Sequence, residues 1–447
     1  MAQTSTPQQA PSGLALTPSQ IMSLPAQQQA AYLAGMSPQN QQLYQAELIN
    51  LQNANFMRGS QERIVQCPVD GGSGQTATYT AGQTINFDLP TVPGYARALI
   101  IRYNLAVTPA AGTGATYQLT AAQRWAIFSR LYLNYSNPQI NTHPYFLKVV
   151  DMAQGRMTGP QNTVLAGQAD SALDAVIVGG TPLVVGSANT WEGYMVVRLN
   201  AINDESPFGL LPLNGVGNNP QLQITCAPNL YGADPLQNAI CAGATGTGQA
   251  VTVTGTIAVD CIVLDGKNLA SINPYQLEGV IGMPTMQYGW ETNLSPLNSG
   301  TQNTFVIKTK MEHWLAAALV IDGRQSTSFI SGLSNLTSFT LGSNSTDADL
   351  INIAQSNNIP IYEWFNRQRN MLKQDLDEGV ILWGAAATRG RVDASQRNGM
   401  QVMNCYPDGY PGMAHGYNVG VVGSVCTARI ELFLLSKNRQ GIQVASS

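Results

Sequence analysis

From Gln61 onward the chain is written in short runs that either alternate or are solidly apolar, each closed by turn residues. That rhythm limits the fold more than any other feature. The segments 62–67, 84–89, 98–103, 194–199 and 221–226 all read this way. Successive side chains of a strand point to opposite faces, so such runs between Gly- and Pro-bearing turns predict β-strands. The 43 glycines and 24 prolines lie mostly between them. Segment 251–264 is rich in Val, Thr and Ile, and Gly255 inside it reads as a bulge or bend. Many short strands with regular turn signals give an antiparallel sandwich.

Two stretches after residue 60 are helical in pattern. The first, 144–154, is closed by Gly155. The second, 361–376, is closed by Gly379. In the second, Ile361, Trp364, Phe365, Leu372 and Leu376 share one side, and Arg367, Arg369, Lys373 and Asp377 fall elsewhere. A Pro stands at or just before each start and a Gly follows each end, the usual start and stop signals.

These helices expose an internal duplication. Ala98-Leu99-Ile100-Ile101 precedes the first helix and Ala318-Leu319-Val320-Ile321 precedes the second, an offset of 220. Tyr145 and Tyr362 are offset by 217. Each half then closes on a similar strand, Cys261-Ile262-Val263-Leu264 and Glu431-Leu432-Phe433-Leu434, offset by 170. The order strand, helix, closing strand is repeated, with the longer insertion in the first half.

The first 57 residues are different. They hold twelve glutamines and one charged residue, Glu47. Thr17-Pro18-Ser19-Gln20 has the form of a capping box with Pro at the first helical position, and Ser37-Pro38 repeats the start. Leu43, Tyr44, Leu48 and Leu51 then recur at helical spacing. The segment reads as a helical arm that docks on a partner or a membrane surface, or that packs under the chain's own β core. Its lack of Lys and Arg argues against electrostatic attraction to anionic lipid.

Composition excludes several classes of function. Charged residues are 11% of the chain, against about 25% in ordinary soluble domains. Gly, Asn, Gln, Ser and Thr take their place, giving a nearly neutral polar surface suited to packing against copies of itself. The net charge is −4 and the 22 Lys and Arg are dispersed, so no basic face for nucleic acid is expected. No apolar run is long enough to span a bilayer, and the opening residues do not have the form of a signal peptide. Cys67, Cys226, Cys241, Cys261, Cys405 and Cys426 are far apart and read as buried small hydrophobes.

No catalytic or metal-binding constellation assembles. His143, His313 and His415 sit on separate segments and read as structural or turn residues. Asp347-Ala348-Asp349 and Asp375-Leu376-Asp377-Glu378 read as solvated acidic faces, since a calcium site needs several converging oxygens. Gly243 to Gly248 lacks the Lys-Ser/Thr of a P-loop, and Gly423-Ser424-Val425-Cys426 does not complete a nucleophile elbow. Arg389, Arg391 and Arg397 lie in a Gly-bearing loop and are nominated as contacts to acids of a neighbouring subunit. No enzyme activity, cofactor or metal is expected.

Several patches resemble the double jelly-roll major capsid proteins of tailless, internal-membrane bacteriophages, the tectivirus type in particular. They are the Met1-Ala2-Gln3 opening with its Gln/Ala-rich arm and Leu16-Thr17-Pro18, and Phe128-Ser129-Arg130-Leu131-Tyr132-Leu133-Asn134-Tyr135-Ser136-Asn137-Pro138 leading into the helix that ends Ala153-Gln154-Gly155. The others are the Arg-bearing helix from Asn366 to Asp377 running into Gly379-Val380-Ile381-Leu382-Trp383, and Gly416-Tyr417-Asn418-Val419-Gly420-Val421-Val422. The likeness covers most of the chain in layout and only patches in residues.

The resemblance implies an all-β chain of two tandem eight-stranded jelly rolls, each with a short helix between strands, plus an N-terminal helical arm. The expected segments are the arm 1–60, a first jelly roll 61–268 with long outer loops, a second jelly roll 269–438 and a tail 439–447. It further implies a homotrimer that fills a pseudo-hexameric site in an icosahedral shell around an internal membrane, assembled in the host cytoplasm. The implied partners are other copies, vertex or minor capsid proteins, and lipid by peripheral contact, with no direct nucleic-acid binding. The arm residues nominated to face membrane or neighbour are Ile21, Met22, Leu24, Tyr32, Leu33, Leu43, Tyr44, Leu48 and Leu51. The alternative reading is a β-sandwich phage spike or carbohydrate-binding protein, which calls for exposed aromatic platforms, while aromatics are only 7% of the chain.

Overall fold

A computed structural model of the chain describes residues 58–70, 74–111, 117–119, 123–134, 138–147, 183–199, 210–213, 220–232, 237–242 and 250–265. It also describes the backbone of eight strands between 287 and 424, and residues 20, 28, 31, 32, 34–38, 41 and 56. The chain divides into two compact units, Met1–Arg58 with Ala428–Ser447, and Gly59–Thr427. In the first unit the Gly35 amide donates to the carbonyls of Ala31 and Tyr32, closing a helical turn. The Gln41 amide donates to the Ser37 carbonyl at 2.9 Å, so a turn opens where Ser37-Pro38 signals one. Most of the expected arm lies outside the described residues.

In the second unit the first half carries β1 (Gln61–Cys67), β2 (Ala77–Thr78), β3 (Thr84–Asp88), β4 (Tyr95–Pro109), β5 (Tyr117–Leu119) and β6 (Phe128–Asn134). It continues with β7 (Pro138–Thr142), β8 (Asn189–Arg198), β9 (Leu211–Pro212), β10 (Gln221–Cys226), β11 (Ile240–Ala242) and β12 (Val251–Asp265). The second half carries β13 (Gln287–Asn293), β14 (Asn303–Val306), β15 (His313–Asp322), β16 (Leu336–Gly342), β17 (Ile351–Ala354), β18 (Val380–Gly384), β19 (Val402–Pro407) and β20 (Gly416–Ser424).

The strand orders make the duplication explicit. One sheet runs β1-β12-β4-β8, with β2 added on β12 and β9 on β4. A second, eight-stranded sheet runs β18-β15-β20-β13-β7-β6-β10-β3, and a third runs β14-β19-β16-β17. Lettered B to I along the chain, the first set is β1, β3, β4, β6, β7, β8, β10, β12, and the second is β13 to β20. Each set then forms one B-I-D-G sheet and one C-H-E-F sheet, the jelly-roll arrangement. Nearly every pairing is antiparallel. The exception among named strands is β7 with β13, which run parallel through Ile140 opposite Tyr288 and Asn141 opposite Gly289. That pair fuses the C-H-E-F sheet of the first roll to the B-I-D-G sheet of the second.

Alternation on β4 shows how the sequence sets the first sandwich. Leu99, Ile101, Tyr103, Leu105 and Val107 are buried, and Ile100, Arg102, Asn104 and Ala106 face outward. The inner faces meet at Tyr103 from one sheet and Phe128 from the other, with ring centroids 6.3 Å apart and edge to face. Trp191, Met195, Val197, Phe87, Leu131, Leu222 and Ile224 complete this core. The Tyr79 hydroxyl donates to the Ile127 carbonyl at 3.1 Å, so a buried phenol keeps its hydrogen bond.

One local expectation is corrected. Gly255 is not a bulge. The β4–β12 ladder runs unbroken through Gly255 opposite Leu105, and its irregularity sits between Ile262 and Val263. Gly255 is required for another reason: its φ is +149°, and a Cβ there would lie 2.2 Å from the Asn104 carbonyl oxygen. The strand in the place of β12 in the second roll is β20. Leu99 pairs with Cys261 on β12, and Leu319 pairs with Val419 on β20. The closing strand expected at Glu431-Leu432-Phe433-Leu434 lies outside the described residues.

The helices expected at 144–154 and 361–376 both fall between strands F and G of their rolls. The first begins at Tyr145, and its end lies outside the described residues. The second lies wholly outside them. His143 caps the first helix: its Nδ1 accepts from the Tyr145 amide at 3.1 Å and its carbonyl from the Phe146 amide at 3.0 Å. This is the structural role expected of it.

Candidate assembly surface

The B-I-D-G sheet of the first roll has one face in the core and one facing outward. Ladder registers order the outward face into rows. Ile64 of β1 stands opposite Ile262 of β12, which stands opposite Ala98 of β4 and then Arg198 of β8. The next row reads Gln66, Asp260, Ile100 and Val196. Ile64 is 68% exposed, which for an isoleucine in the middle of a strand costs hydration free energy unless something covers it.

Charge frames these rows. The Arg102 guanidinium grips the Asp260 carboxylate with both arms, Nε to Oδ2 at 2.6 Å and Nη2 to Oδ1 at 3.1 Å. Asp260 is buried while Arg102 is half in solvent, so the pair holds its geometry from the aspartate side. Arg97 pairs with Glu62. Arg63 lies 3.9 Å from the Asp265 carboxylate and donates to the Pro93 carbonyl at 2.7 Å. Beside Arg102 a shallow depression of about 530 Å³ is lined by Asn104, Glu192, Tyr194 and Thr256 among others. It gathers no acid–base pair of catalytic geometry and only one half-buried aromatic at its rim, Tyr194.

Among the described strands, β1 is an edge strand of its sheet and β17 is an edge strand of the third sheet. Edge strands present unpaired N–H and C=O groups and pair readily with another chain. Under the outward face, Cys67 and Cys261 are buried free thiols, and Cys226 is a third in the same roll. Burial raises all three above the ordinary thiol range, Cys226 to about 11 and Cys261 to about 12, with the neighbouring Cys261 and Asp260 adding to the shift at Cys67. Such thiols stay protonated and behave as the small hydrophobes the sequence suggests. Among the described residues no group of three His, Cys, Asp or Glu converges as a metal site would require.

Of the arm residues nominated from sequence, Tyr32 lies in a helical turn and is half-buried. Ile21, Met22, Leu24, Leu33, Leu43, Tyr44, Leu48 and Leu51 lie outside the described residues, as do Arg389, Arg391 and Arg397. Sequence reasoning missed the surface formed by β1, Ile64 and the Arg102–Asp260 pair. The available signal was Glu62-Arg63-Ile64, charges beside an apolar residue on a short strand, a pattern common at sheet edges.

No family model and no curated relative matches the sequence. Solved structures do match. The STIV major capsid protein crystal structure aligns at a TM-score of 0.54 and 12% identity, over 81% of this chain and 96% of that one. A chain in the atomic structure of Sulfolobus Turreted Icosahedral Virus aligns at 0.55 and 11% identity, over 85% and 98%. The PBCV-1 virus capsid aligns at 0.48 and 12%, over 82% and 93%. At these identities the likeness is one of fold: the chain has the double jelly-roll fold of viral major capsid proteins.

Proposed function

We propose that the chain is the major capsid subunit of an icosahedral virion and acts by assembly, with no chemistry of its own. One observation carries this reading. A single chain holds two complete B-I-D-G/C-H-E-F rolls joined edge to edge, the fold shared along nearly the full length of the STIV protein. Three such chains contribute six similar lobes, so a homotrimer fills a hexagonal lattice position. The charged fraction of 11% supports the reading, because lateral contacts between neutral polar surfaces avoid the desolvation of charge.

The finer parts of the reading are these. The rolls correspond to 61–268 and 269–438, and the tail to 439–447. The shell belongs to a bacteriophage of the tectivirus type and encloses a membrane, with assembly in the host cytoplasm. The arm 1–60 reaches membrane or adjacent trimers through Ile21, Met22, Leu24 and the later apolar stripe. Arg389, Arg391 and Arg397 meet acids of a neighbour, and vertex or minor proteins complete the shell.

Light scattering on the purified chain tests the oligomer: the expected mass is three times the 47.7 kDa chain. A monomer that persists at high concentration would remove the physical basis of the proposal and turn attention to glycan binding by a spike. Removing residues 1–57 is expected to preserve the trimer and abolish incorporation into membrane-filled particles. Normal particles from the truncated chain would refute the role given to the arm.

A further inference from the structure

We infer that neighbouring copies join by the same strand pairing that joins the two rolls within one chain, with β17 of one copy adding in parallel to β1 of the next. This inference rests on the proposed trimer and specifies its contact. Inside the chain, strand F of the first roll (β7) lies parallel to strand B of the second (β13). The remaining F and B strands are β17 and β1, and each ends its sheet among the described strands. When a repeated unit uses one face of itself to hold the next, the unused halves of that contact are complementary. Copies can then add head to tail, closing into a ring where the rotation permits. Addition of an extended edge to an exposed edge is a common mode of recognition.

The ladders fix the register. Val65 pairs with Cys261, and Glu291 pairs with Val419, the partners of Leu99 and Leu319. Val65 therefore stands where Glu291 stands, and Glu62 and Arg63 occupy the places of Tyr288 and Gly289. On the other strand, Ile140 and Asn141 pair with Leu133 and Tyr132 of β6, and Ile351 and Asn352 pair with Leu341 and Thr340 of β16. Both β6 and β16 are seven residues long, and these partners fall at the same positions within them. The residues repeat as well, Ile-Asn at 140–141 and Ile-Asn at 351–352. Carrying the Ile140–Tyr288 and Asn141–Gly289 pairs across copies places Ile351 beside Glu62 and Asn352 beside Arg63.

The β1 strand has the features of an edge awaiting such a cover. Ile64, next to the paired positions, is one of two large hydrophobics strongly exposed among the described residues. Glu62 and Arg63 are tied back to Arg97 and to Asp265 on their own sheet. Those ties hold the charges in place, and among the described residues no strand pairs with the outer edge of β1. The internal pair spans only two registered positions, so the intermolecular one sets register and direction while other surfaces supply most of the burial.

Cysteine pairs across the predicted seam test this on the full-length protein. Paired parallel strands lie about 4.8 Å apart, within the ~4.4–6.8 Å that a disulfide spans between Cα atoms. Oxidation of a chain carrying both Arg63→Cys and Asn352→Cys is expected to empty the monomer band into a covalent species of three chains, reversed by reductant. Mixing the two single variants is expected to give covalent dimers only, which excludes linkage within one chain. Glu62→Cys with Ile351→Cys is the second in-register pair, for use if the first variant folds poorly. Arg63→Cys with Ala354→Cys is two positions out of register and is expected to leave the monomer band in place. A trimer by light scattering that forms no disulfide through either in-register pair overturns the strand pairing and leaves the capsomer reading standing. Equal cross-linking of the out-of-register pair overturns the register. Absence of any trimer in the unsubstituted protein defeats the capsomer reading itself.

Discussion

The two jelly rolls share a topology and differ in reach. In the first, β4 and β12 are 15 residues each and pair along almost their whole length. Their counterparts β15 and β20 are 10 and 9 residues. Among the described strands, the first roll keeps one B-I-D-G sheet to itself, with an outward face and β1 at its end. The second has its B-I-D-G sheet extended across β7 into the neighbouring roll. Topology is thus conserved by the repeat, while the surroundings of each edge are not. An edge paired inside the chain at β13 has no partner strand at β1 among the described residues, and that asymmetry is what the proposed pairing between copies uses.

The largest expected effect tests whether the longer roll is the mechanical anchor. Trp191→Ala removes a side chain of β8 that is 1% exposed, in the core of the first sandwich. Truncating a buried aromatic costs about 3–5 kcal/mol. Chemical denaturation should show a lower midpoint, and the hydrogen-exchange protection of β4 and β12 should fall first. Loss confined to β15 and β20 would reverse the comparison.

Next in size is Arg102→Ala. It leaves Asp260 buried without its bidentate partner, and an uncompensated buried acceptor of this kind costs roughly 1–3 kcal/mol. The lower end is expected because Arg102 is half in solvent. The Arg97–Glu62 pair, exposed at its glutamate end, is the control: Arg97→Ala should shift stability by less than ~1 kcal/mol. Equal losses from the two variants would deny the outward face its buried anchor.

The smallest effect is a pH dependence. The thiols of Cys67, Cys226 and Cys261 titrate higher in the folded chain than in the unfolded one. The folded state therefore holds protons that the unfolded state releases, and stability falls as pH rises. The fall should begin near the ordinary thiol pKa, about 8.5, and continue to about 11 for Cys226 and about 12 for Cys261. Melting temperatures between pH 8 and 11 should drop less in a Cys261→Ala variant than in the parent. An unchanged slope would remove Cys261 as a contributor.

Much of this was legible in the sequence, for a local reason. Alternation in 221–226 reports which face of a strand is buried, since period two is written in neighbouring residues. The repeat was legible through Ala98-Leu99-Ile100-Ile101 and its counterpart at 318–321, because strand D is central in both rolls and must be apolar in both. The strand that pairs with strand D of the second roll was less legible. Glu431-Leu432-Phe433-Leu434 matches in hydropathy, but β20, with Gly at 416, 420 and 423, pairs with Leu319. Glycine-rich strands carry a weak β signal, and only the ladder identifies them. Gly255 was noticed and misassigned, because sequence shows that a glycine interrupts a strand and not whether it kinks the chain or admits a neighbouring backbone.

The sequence by itself determined the class of fold, the duplication, and the neutral polar surface that suits the chain to its own copies. Those properties depend on which residues are near one another along the chain. Tertiary structure alone decided that β7 meets β13 in parallel, that the buried Asp260 is gripped by the half-exposed Arg102, and that β1 and β17 end their sheets among the described strands. Backbone hydrogen bonding is the same for every residue except proline, so the side chains leave only a weak pattern for the choice of which edges meet. It is settled by the closure of two sandwiches around their cores, and read only once both are built.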